Sequence, residues 1–271
     1  MPPAVKGILA VFAAAAVFAG GWRFIEHKSN LVPSFVTPET NVHLEFSNDV
    51  VARLYRVTHE LPEDRSHRPR LIALTFDDGP YPVYTPMLLD VLRDLRVPAT
   101  FFLIGRDAET WPELTRRIEA EGNEIADHTF THPNLDQESD DQVRDEILKG
   151  RDVLWDLSRD PAVRTLMRPP HGRYNERTLQ VAQSLGYSVV LWTDDGGDWR
   201  SVTVDELERH LVEHATAPEI VLLHSGKLAT IEALPFVVDR FRKAGYRFVT
   251  VGEMLKLVQT SDLNHPLRKA V

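Results

Sequence analysis

The sequence predicts an α/β fold in which parallel strands alternate with helices, with a closed or nearly closed β/α barrel as the first choice. Three observations support this prediction. Short β-rich apolar runs recur between residues 71 and 251, amphipathic segments separate them, and charged or histidine residues follow where the runs end. Such alternation favours βα units with right-handed crossovers, and a doubly wound open sheet is the second choice. In either fold the chemistry collects at the carboxyl ends of the strands.

Seven runs are predicted to be strands, because short apolar runs bounded by turn residues are typical of buried strands. They comprise residues 71–76, 99–105, 124–128, 165–169, 188–192, 219–224 and 247–251.

The segments between these runs carry recognisable helix ends. Thr85-Pro86 opens the first helix, and Asn175 is placed to cap a later helix that Gly186 ends. Thr203 and Glu206 have the spacing of a capping box. One face of the first helix carries the leucines Leu88, Leu89, Leu92 and Leu95.

The composition indicates a large enzyme rather than a binder of nucleic acid. The chain has 271 residues with 31 Lys+Arg and 40 Asp+Glu, a net charge of −9. A general nucleic-acid binder needs a basic face to neutralise phosphates. The absence of cysteine from the sequence excludes a disulfide scaffold, thiolate metal sites and a cysteine nucleophile.

The N-terminus predicts export. Residues 1–22 contain an uncharged apolar stretch from Gly7 to Trp22, which is predicted to be a signal peptide or a membrane anchor. Residues 17–19 resemble a cleavage site, whereas Arg23 and Lys28 suit the interfacial end of an anchor. The protein is therefore expected in the cell envelope, either anchored to the membrane or secreted. Residues 23–70 are interpreted as a stalk or extension.

Polar residues at two strand ends suggest a metal site. Asp77 and Asp78 follow the first strand and, taken alone, fit a turn equally well. His128 and His132 follow the third strand, and residues four apart can meet on one face of a helical turn. A carboxylate with two histidines gives three N/O ligands and an open position, as in catalytic sites. Zinc is the first candidate, with cobalt, nickel or manganese as alternatives.

Other strand ends also carry polar residues. Arg168 precedes two prolines, so its position is expected to be fixed, and His224 ends a strongly apolar strand. The run 194–199 is rich in aspartate, but it lacks the spacing of an EF-hand calcium loop. Five strand ends with titratable residues together favour one catalytic site.

This set of motifs resembles a known family. TFDDGP (75–80), HTFTH (128–132), RPPHG (168–172), DGGDW (195–199) and LLH (222–224) are similar, in order, to the five motifs of the polysaccharide deacetylases, carbohydrate esterase family 4. The resemblance extends over about residues 71–257. It implies a distorted β/α barrel and metal-dependent removal of acetyl groups from N-acetylglucosamine units of peptidoglycan or a chitin-like glycan. The predicted partner is thus an acetylated glycan, besides the membrane if residues 1–22 are retained.

The resemblance also implies roles for individual residues. Asp78, His128 and His132 would bind one divalent ion. Asp77 would be the general base, held by Arg168, and His224 the general acid, hydrogen-bonded to Asp198. The remaining implied residues bind substrate: Trp199 and Leu222 would enclose the acetyl methyl group, and the N–H of His171 would bind the oxyanion. Hydrolysis of an acyl group near neutral pH favours a base with a lowered pKa, here Asp77, and an acid with a raised pKa, here His224.

Two residues depart from the family pattern. His171 stands where the family usually has Tyr or Phe, and Ser225 stands where an Asp commonly follows the motif's histidine. Two alternatives stay open: an O-acetyl esterase of the xylan type, and a catalytically silent glycan-binding scaffold. The catalytic domain is predicted over residues 71–258, with a C-terminal tail over 259–271.

Overall fold

A computed structural model describes residues 70–264, with side chains through residue 258. All seven predicted strands form, and a short additional strand lies between the fifth and sixth of them. The strands are β1 Leu71–Asp77, β2 Thr100–Leu103, β3 Glu124–Asp127, β4 Leu166–Met167, β5 Ser188–Val189, β6 Asp194–Asp195, β7 Glu219–His224 and β8 Arg247–Phe248.

The helices lie between the strands, as predicted. They are α1 Tyr84–Leu95, α2 Gly105–Thr110, α3 Pro112–Ala120, α4 Asp140–Ser158, α5 Glu176–Ser184, α6 Val204–Glu213, α7 Leu228–Lys243 and α8 Val251–Asn264. The side chain of Asn175 accepts a hydrogen bond from the N–H of Thr178 and forms a capping box for α5. Thr203 and Glu206 form the predicted box at α6. The last helix continues past residue 258 into the predicted tail.

Every strand pair in the sheet is parallel. The order is β5-β4-β3-β2-β1-β7-β6, and β8 pairs with the first residues of β1. β1 is the centre of this arrangement: β7 pairs with it from Ile72 to Asp77, while β8 and β2 share its other edge. The carboxyl ends of β1, β2 and β7 therefore lie side by side.

The two ends of the sheet are consecutive in the sequence. β5 ends at Val189 and β6 begins at Asp194, so residues 190–193 join opposite ends of the strand order. A link of this length spans at most about 18 Å. The sheet must therefore curl until its ends come close, which confirms the predicted distorted barrel, here as an open half-barrel.

The two faces of β1 explain how the core and the site are separated. Ile72, Leu74 and Phe76 pack against helix leucines such as Leu88 and Leu92 in the layer outside the sheet. The alternate residues Leu71 and Ala73 pack within the curl, against Phe102, Val190 and Ile220. Strand alternation then places Thr75 and Asp77 on this same inner face, towards the carboxyl end of the strand. The interior is thus apolar at one end of β1 and polar at the other.

The predictions for the N-terminus lie outside the described residues. These are the signal peptide or anchor at 1–22 and nearly all of the extension at 23–70. Among residues 70–264, no helix combines the length and the apolar character needed to cross a bilayer.

Candidate metal centre and active site

Three predicted ligands converge at the carboxyl ends of β1 and β3. Asp78, His128 and His132 each present one ligand atom, and these atoms lie within 4.8 Å of one another. The Asp78 Oδ1 atom is 3.3 Å from His132 Nε2 and 3.8 Å from His128 Nε2. Among the described residues this is the one such group that could hold a metal ion.

The two histidines do not lie on a helical turn, so that part of the prediction is wrong. Residues 128–132 form an irregular loop in which Thr129 and His132 have positive φ angles of 68° and 66°. The Asp127 carboxylate accepts from the N–H of Thr129 at 2.8 Å, and Thr129 Oγ1 accepts from the N–H of His132 at 3.2 Å. These local bonds fold the loop back, so the two imidazole rings lie 4.9 Å apart.

The tautomer of His128 is fixed by a backbone carbonyl. His128 Nδ1 lies 2.7 Å from the Arg168 carbonyl oxygen, which can only accept, so Nδ1 carries the proton. The Nε2 lone pair is then directed toward Asp78, as metal binding requires. Burial lowers the pKa of His128 to about 3, although Asp78 opposes the shift. Burial likewise lowers the pKa of His132. Both rings are therefore neutral near pH 7.

Glu146 of α4 holds the histidine loop from outside. Its carboxylate accepts from the N–H groups of Phe130 at 3.1 Å and Thr131 at 2.7 Å. It also accepts from the Thr131 hydroxyl at 2.7 Å, and the Glu146 carbonyl accepts from the Phe130 N–H at 3.1 Å. One residue of α4 thus fixes two of the peptides between the candidate ligands.

Asp77 and Arg168 form a buried ion pair beside the three ligands. Arg168 Nη1 donates to Asp77 Oδ1 at 2.6 Å, and the Arg168 side chain is fully buried. The other oxygen, Oδ2, is 3.7 Å from His128 Nε2. Burial raises the pKa of Asp77, and the charge of Arg168 opposes this shift without cancelling it. Desolvation of the carboxylate is the larger effect, so the pKa of Asp77 is raised above its ordinary value rather than lowered as expected.

Arg168 also bonds to the segment that follows β5, the strand next to β4. Its Nε and Nη2 donate to the carbonyl oxygens of Val190 and Leu191, at 3.1 and 3.0 Å. Nη1 also donates to Thr75 Oγ1 at 2.8 Å, and the guanidinium carbon lies 4.1 Å from the centre of the Phe102 ring. The predicted fixed position of Arg168 is thus created mainly by these bonds.

His224 and Asp198 form the second polar pair. His224 Nδ1 lies 2.7 Å from Asp198 Oδ1, and the His224 N–H donates to Asp198 Oδ2 at 2.8 Å. Thr230 donates to the same Oδ2 at 2.6 Å. Burial lowers the pKa of His224, but the hydrogen bond and charge of Asp198, with the charges of Asp77 and Asp78, raise it overall. The imidazole is thereby stabilised in its protonated form.

The predicted substrate-binding residues lie around this centre. The His171 ring packs edge-on against His132 with centroids 4.5 Å apart. Trp199 is 54% exposed, with Nε1 3.3 Å from Asp195 Oδ2, whereas Leu222 is buried. Leu222 lies two residues before His224 on β7 and therefore on the same face of the strand.

Gly172 lets the loop after β4 approach Trp192. Its φ is +63°, and a Cβ there would lie 2.5 Å from Trp192 Cη2. A side chain at this position would displace the loop that carries His171.

Several residues that support the site were not assigned roles from the sequence. Thr75 hydrogen-bonds to Arg168 and Thr230 to Asp198, whereas Glu146 bonds to the histidine loop and Ser225 to the backbone of Asp78. Thr75 lies on β1 and Thr230 on α7, and both are buried. The sequence could therefore show only that a polar residue occupies a core position in each element. Nothing in the sequence marked Glu146, because a glutamate on a helix is equally ordinary when it faces solvent.

Comparisons with known proteins agree with the geometry. The sequence model of the family described as polysaccharide deacetylase matches residues 64–190. A peptidoglycan-N-acetylglucosamine deacetylase of Bacillus cereus is 38% identical over 205 residues, covering 74% of this chain and 93% of that protein. A chitooligosaccharide deacetylase of Bradyrhizobium is 36% identical over 191 residues, covering 65% of this chain and 87% of that protein.

A solved structure shows the same fold. The peptidoglycan deacetylase PdaC from Bacillus subtilis superposes with a TM-score of 0.66 at 30% sequence identity. The match covers 74% of this chain and 96% of that chain.

Proposed function

Because the chain belongs to the polysaccharide deacetylase family, we propose that it is a metal-dependent hydrolase that removes acetyl groups from the N-acetylglucosamine units of a glycan. One observation carries the proposal. The Asp78–His128–His132 group lies beside two separate acid–base pairs, Asp77–Arg168 and His224–Asp198. A ligand set for a Lewis acid, a carboxylate and a protonated imidazole are the components that amide hydrolysis requires.

The three ligands fit a divalent ion of borderline character. Two imidazole nitrogens and one carboxylate oxygen suit zinc, and cobalt, nickel or manganese accept the same donors. The low pKa of His128 means that no proton competes for that ligand near neutral pH. When bound, the ion supplies Lewis-acid polarisation of the acetyl carbonyl. We propose zinc as the physiological ion.

Asp77 is proposed to be the general base. Its Oδ1 is bonded to Arg168, so Oδ2, on the side of His128, is the atom placed to take a proton from the attacking water. The Arg168 fork fixes the orientation of the carboxylate. Its charge also opposes the rise in pKa that burial produces, which keeps more of Asp77 ionised.

His224 is proposed to be the general acid. Because Nδ1 faces Asp198, Nε2 is the atom that can donate to the departing nitrogen as the acetyl C–N bond breaks. The products are acetate and a free amine on the sugar. An amide nitrogen leaves poorly without protonation, so the raised pKa of His224 matches this role.

The substrate-binding residues are proposed from their positions. Trp199 and Leu222 would contact the acetyl methyl group, and the N–H of His171 would donate to the oxyanion. The relatives act, by name, on peptidoglycan and on chitooligosaccharides. We propose an extracytoplasmic glycan of one of these two kinds, reached by export through residues 1–22, with residues 71–258 as the catalytic domain.

The proposal is tested by acetate release. The full chain is stripped of metal with a chelator, given zinc or cobalt, and assayed on N-acetylglucosamine oligomers and on peptidoglycan. Asp77→Asn is assayed beside Asp94→Asn, whose carboxylate is 74% exposed. Metal-dependent release that Asp77→Asn lacks and Asp94→Asn keeps is expected. Full activity in Asp77→Asn would overturn the assignment of the base.

A second arm of the assay tests the reaction class. Esters have a better leaving group than amides, so they need protonation of that group less. His224→Ala is therefore expected to lose more activity on an N-acetyl than on an O-acetyl substrate. Wild-type turnover confined to O-acetylated xylan would instead identify an esterase.

A further inference from the structure

The hydroxyl of Ser225 joins the ends of β7 and β1. Ser225 Oγ lies 3.2 Å from the carbonyl oxygen of Asp77 and 3.0 Å from that of Asp78. The Ser225 N–H also donates to the Asp77 carbonyl at 3.0 Å. Ser225 is 1% exposed, so these bonds are shielded from water. The peptides of the proposed base and ligand are thereby attached to the residue that follows His224.

The backbone at Gly79 allows this close approach. A Cβ on Gly79 would lie 2.8 Å from Ser225 Oγ, and the φ of Gly79 is +73°. Asp78, the preceding residue, also has a positive φ, of 69°. The chain thus turns sharply after Asp77, with two consecutive residues in a conformation that L side chains rarely adopt. Ser225 donates to the two carbonyls that precede this turn.

We propose that Ser225 is a positioning residue for Asp77 and Asp78. By fixing both carbonyls it sets the direction in which the Asp78 side chain meets His128 and His132, and the direction of Asp77 toward the same centre. This inference rests on the proposed function, because the metal ligands and the base are assigned there. It extends that proposal to a side chain that contacts neither the metal nor the substrate.

The chemistry of the hydroxyl explains why serine suits this position. A neutral O–H can donate to a carbonyl oxygen without bringing a charge near the Asp77 and Asp78 carboxylates. An ionised carboxylate cannot donate to either carbonyl, so these two bonds depend on the serine that this chain has in place of the family's common Asp.

The test separates positioning from simple stabilisation. Zinc affinity of the stripped full chain is measured by competition with a chromogenic chelator, alongside kcat, KM and thermal unfolding. Ser225→Ala is expected to weaken zinc binding about tenfold and to lower kcat with little change in KM. Ser225→Thr, which keeps the hydroxyl, is expected to recover most of the affinity.

Ser158→Ala is the matched control. Ser158 is 3% exposed, donates to the Leu154 carbonyl at 2.9 Å and accepts from the N–H of Asp160 at 3.3 Å, on α4 and just beyond it. Its alanine variant should lose stability without losing zinc affinity. Ser225→Cys, of similar volume and weaker donor strength, replaces the alanine variant if that variant does not fold.

Two results would overturn the inference in different ways. Wild-type zinc affinity and kcat in Ser225→Ala, with lowered stability alone, would show that the residue is structural. Wild-type protein that neither binds zinc nor releases acetate would overturn the proposed function and the positioning role together.

Discussion

Asp77 and His224 are register partners on adjacent parallel strands, with both side chains on the inner face of the sheet. Each affects the protonation of the other: the Asp77 carboxylate raises the pKa of His224, and a charged His224 lowers the pKa of Asp77. Arg168 and Asp198 then contact them from separate elements, β4 and the loop after β6. The ionised Asp77 carboxylate and the protonated His224 imidazole therefore stabilise each other.

Removal of the Asp198 charge is expected to shift the alkaline limb of the pH–activity profile. Asp198→Asn loses the main effect that raises the pKa of His224, so this pKa falls. Activity that requires protonated His224 is lost as pH rises through its pKa, and the limb therefore moves to lower pH. The measurement is kcat/KM for amide substrate across pH. Asp94→Asn should leave the profile unchanged, and an unmoved limb in Asp198→Asn would contradict the role of His224.

Replacement of Arg168 is expected to lower the free energy of unfolding and to raise the pKa of Asp77, the proposed base. Arg168→Met leaves a buried carboxylate without its cation, which costs about 3–5 kcal/mol of unfolding free energy. The pKa of Asp77 rises further, so the acid limb of the activity profile moves to higher pH. Arg168→Lys keeps the charge but cannot reach the same four partners, so its stability and pH profile should fall between those of the wild type and of Arg168→Met. Denaturant unfolding and pH profiles measure the effects. Arg116→Met, at a half-exposed arginine, should change neither.

Truncation of Glu146 is expected to weaken metal binding from a distance. Glu146→Ala removes the carboxylate that accepts from the Thr131 N–H and hydroxyl and from the Phe130 N–H, so the loop between His128 and His132 keeps only the bond from the Phe130 N–H to the backbone carbonyl of residue 146. Zinc affinity should fall about tenfold, measured by chelator competition. Asp145→Ala, at the exposed neighbouring position, should bind zinc as the wild type does. Equal affinity in the two variants would show that the loop holds its shape without Glu146.

Loss of the Trp199 ring is expected to affect substrate binding more than turnover. Trp199 is 54% exposed and follows Asp198, the hydrogen-bond partner of the proposed acid, so its indole is available to a sugar or an acetyl group. Trp199→Ala should raise KM for N-acetylglucosamine oligomers about fivefold, which corresponds to about 1 kcal/mol of aromatic contact. Steady-state kinetics measure KM and kcat separately and so distinguish the two effects. Trp111→Ala, at a tryptophan 42% exposed on the segment between α2 and α3, should leave KM unchanged.

The strand ends were predictable because the chemistry of parallel sheets concentrates polar residues there. The seven strands, the Asn175 cap and the Thr203–Glu206 box follow from local patterns, and the convergence of Asp78 with the two histidines follows from their places at strand ends. β6 was not predicted, since Asp194 and Asp195 have low strand propensity and pair with β7 through tertiary context.

The supporting hydrogen bonds could not be predicted from the same patterns. Ser225 bonds to residues 147 and 148 positions away, and Glu146 reaches a loop 15 and 16 positions before it. No local periodicity records such pairs. The histidine spacing was misinterpreted for a related reason, because positions four apart fit a helix until Thr129 takes a positive φ. The direction of the Asp77 pKa shift depends on how far burial outweighs the charge of Arg168. A sequence motif does not give the extent of burial.

The short link of residues 190–193 limits how far the curled sheet can open. Its length limits the distance between β5 and β6, and Arg168, which follows the neighbouring strand β4, donates to two of its carbonyls. One inserted residue there would lengthen the span by about 3.5 Å and draw those carbonyls off the guanidinium. Because Arg168 follows β4, the neighbour of β5, and Asp198 follows β6, the length of residues 190–193 limits how far the Arg168 side of the proposed site can lie from the Asp198 side.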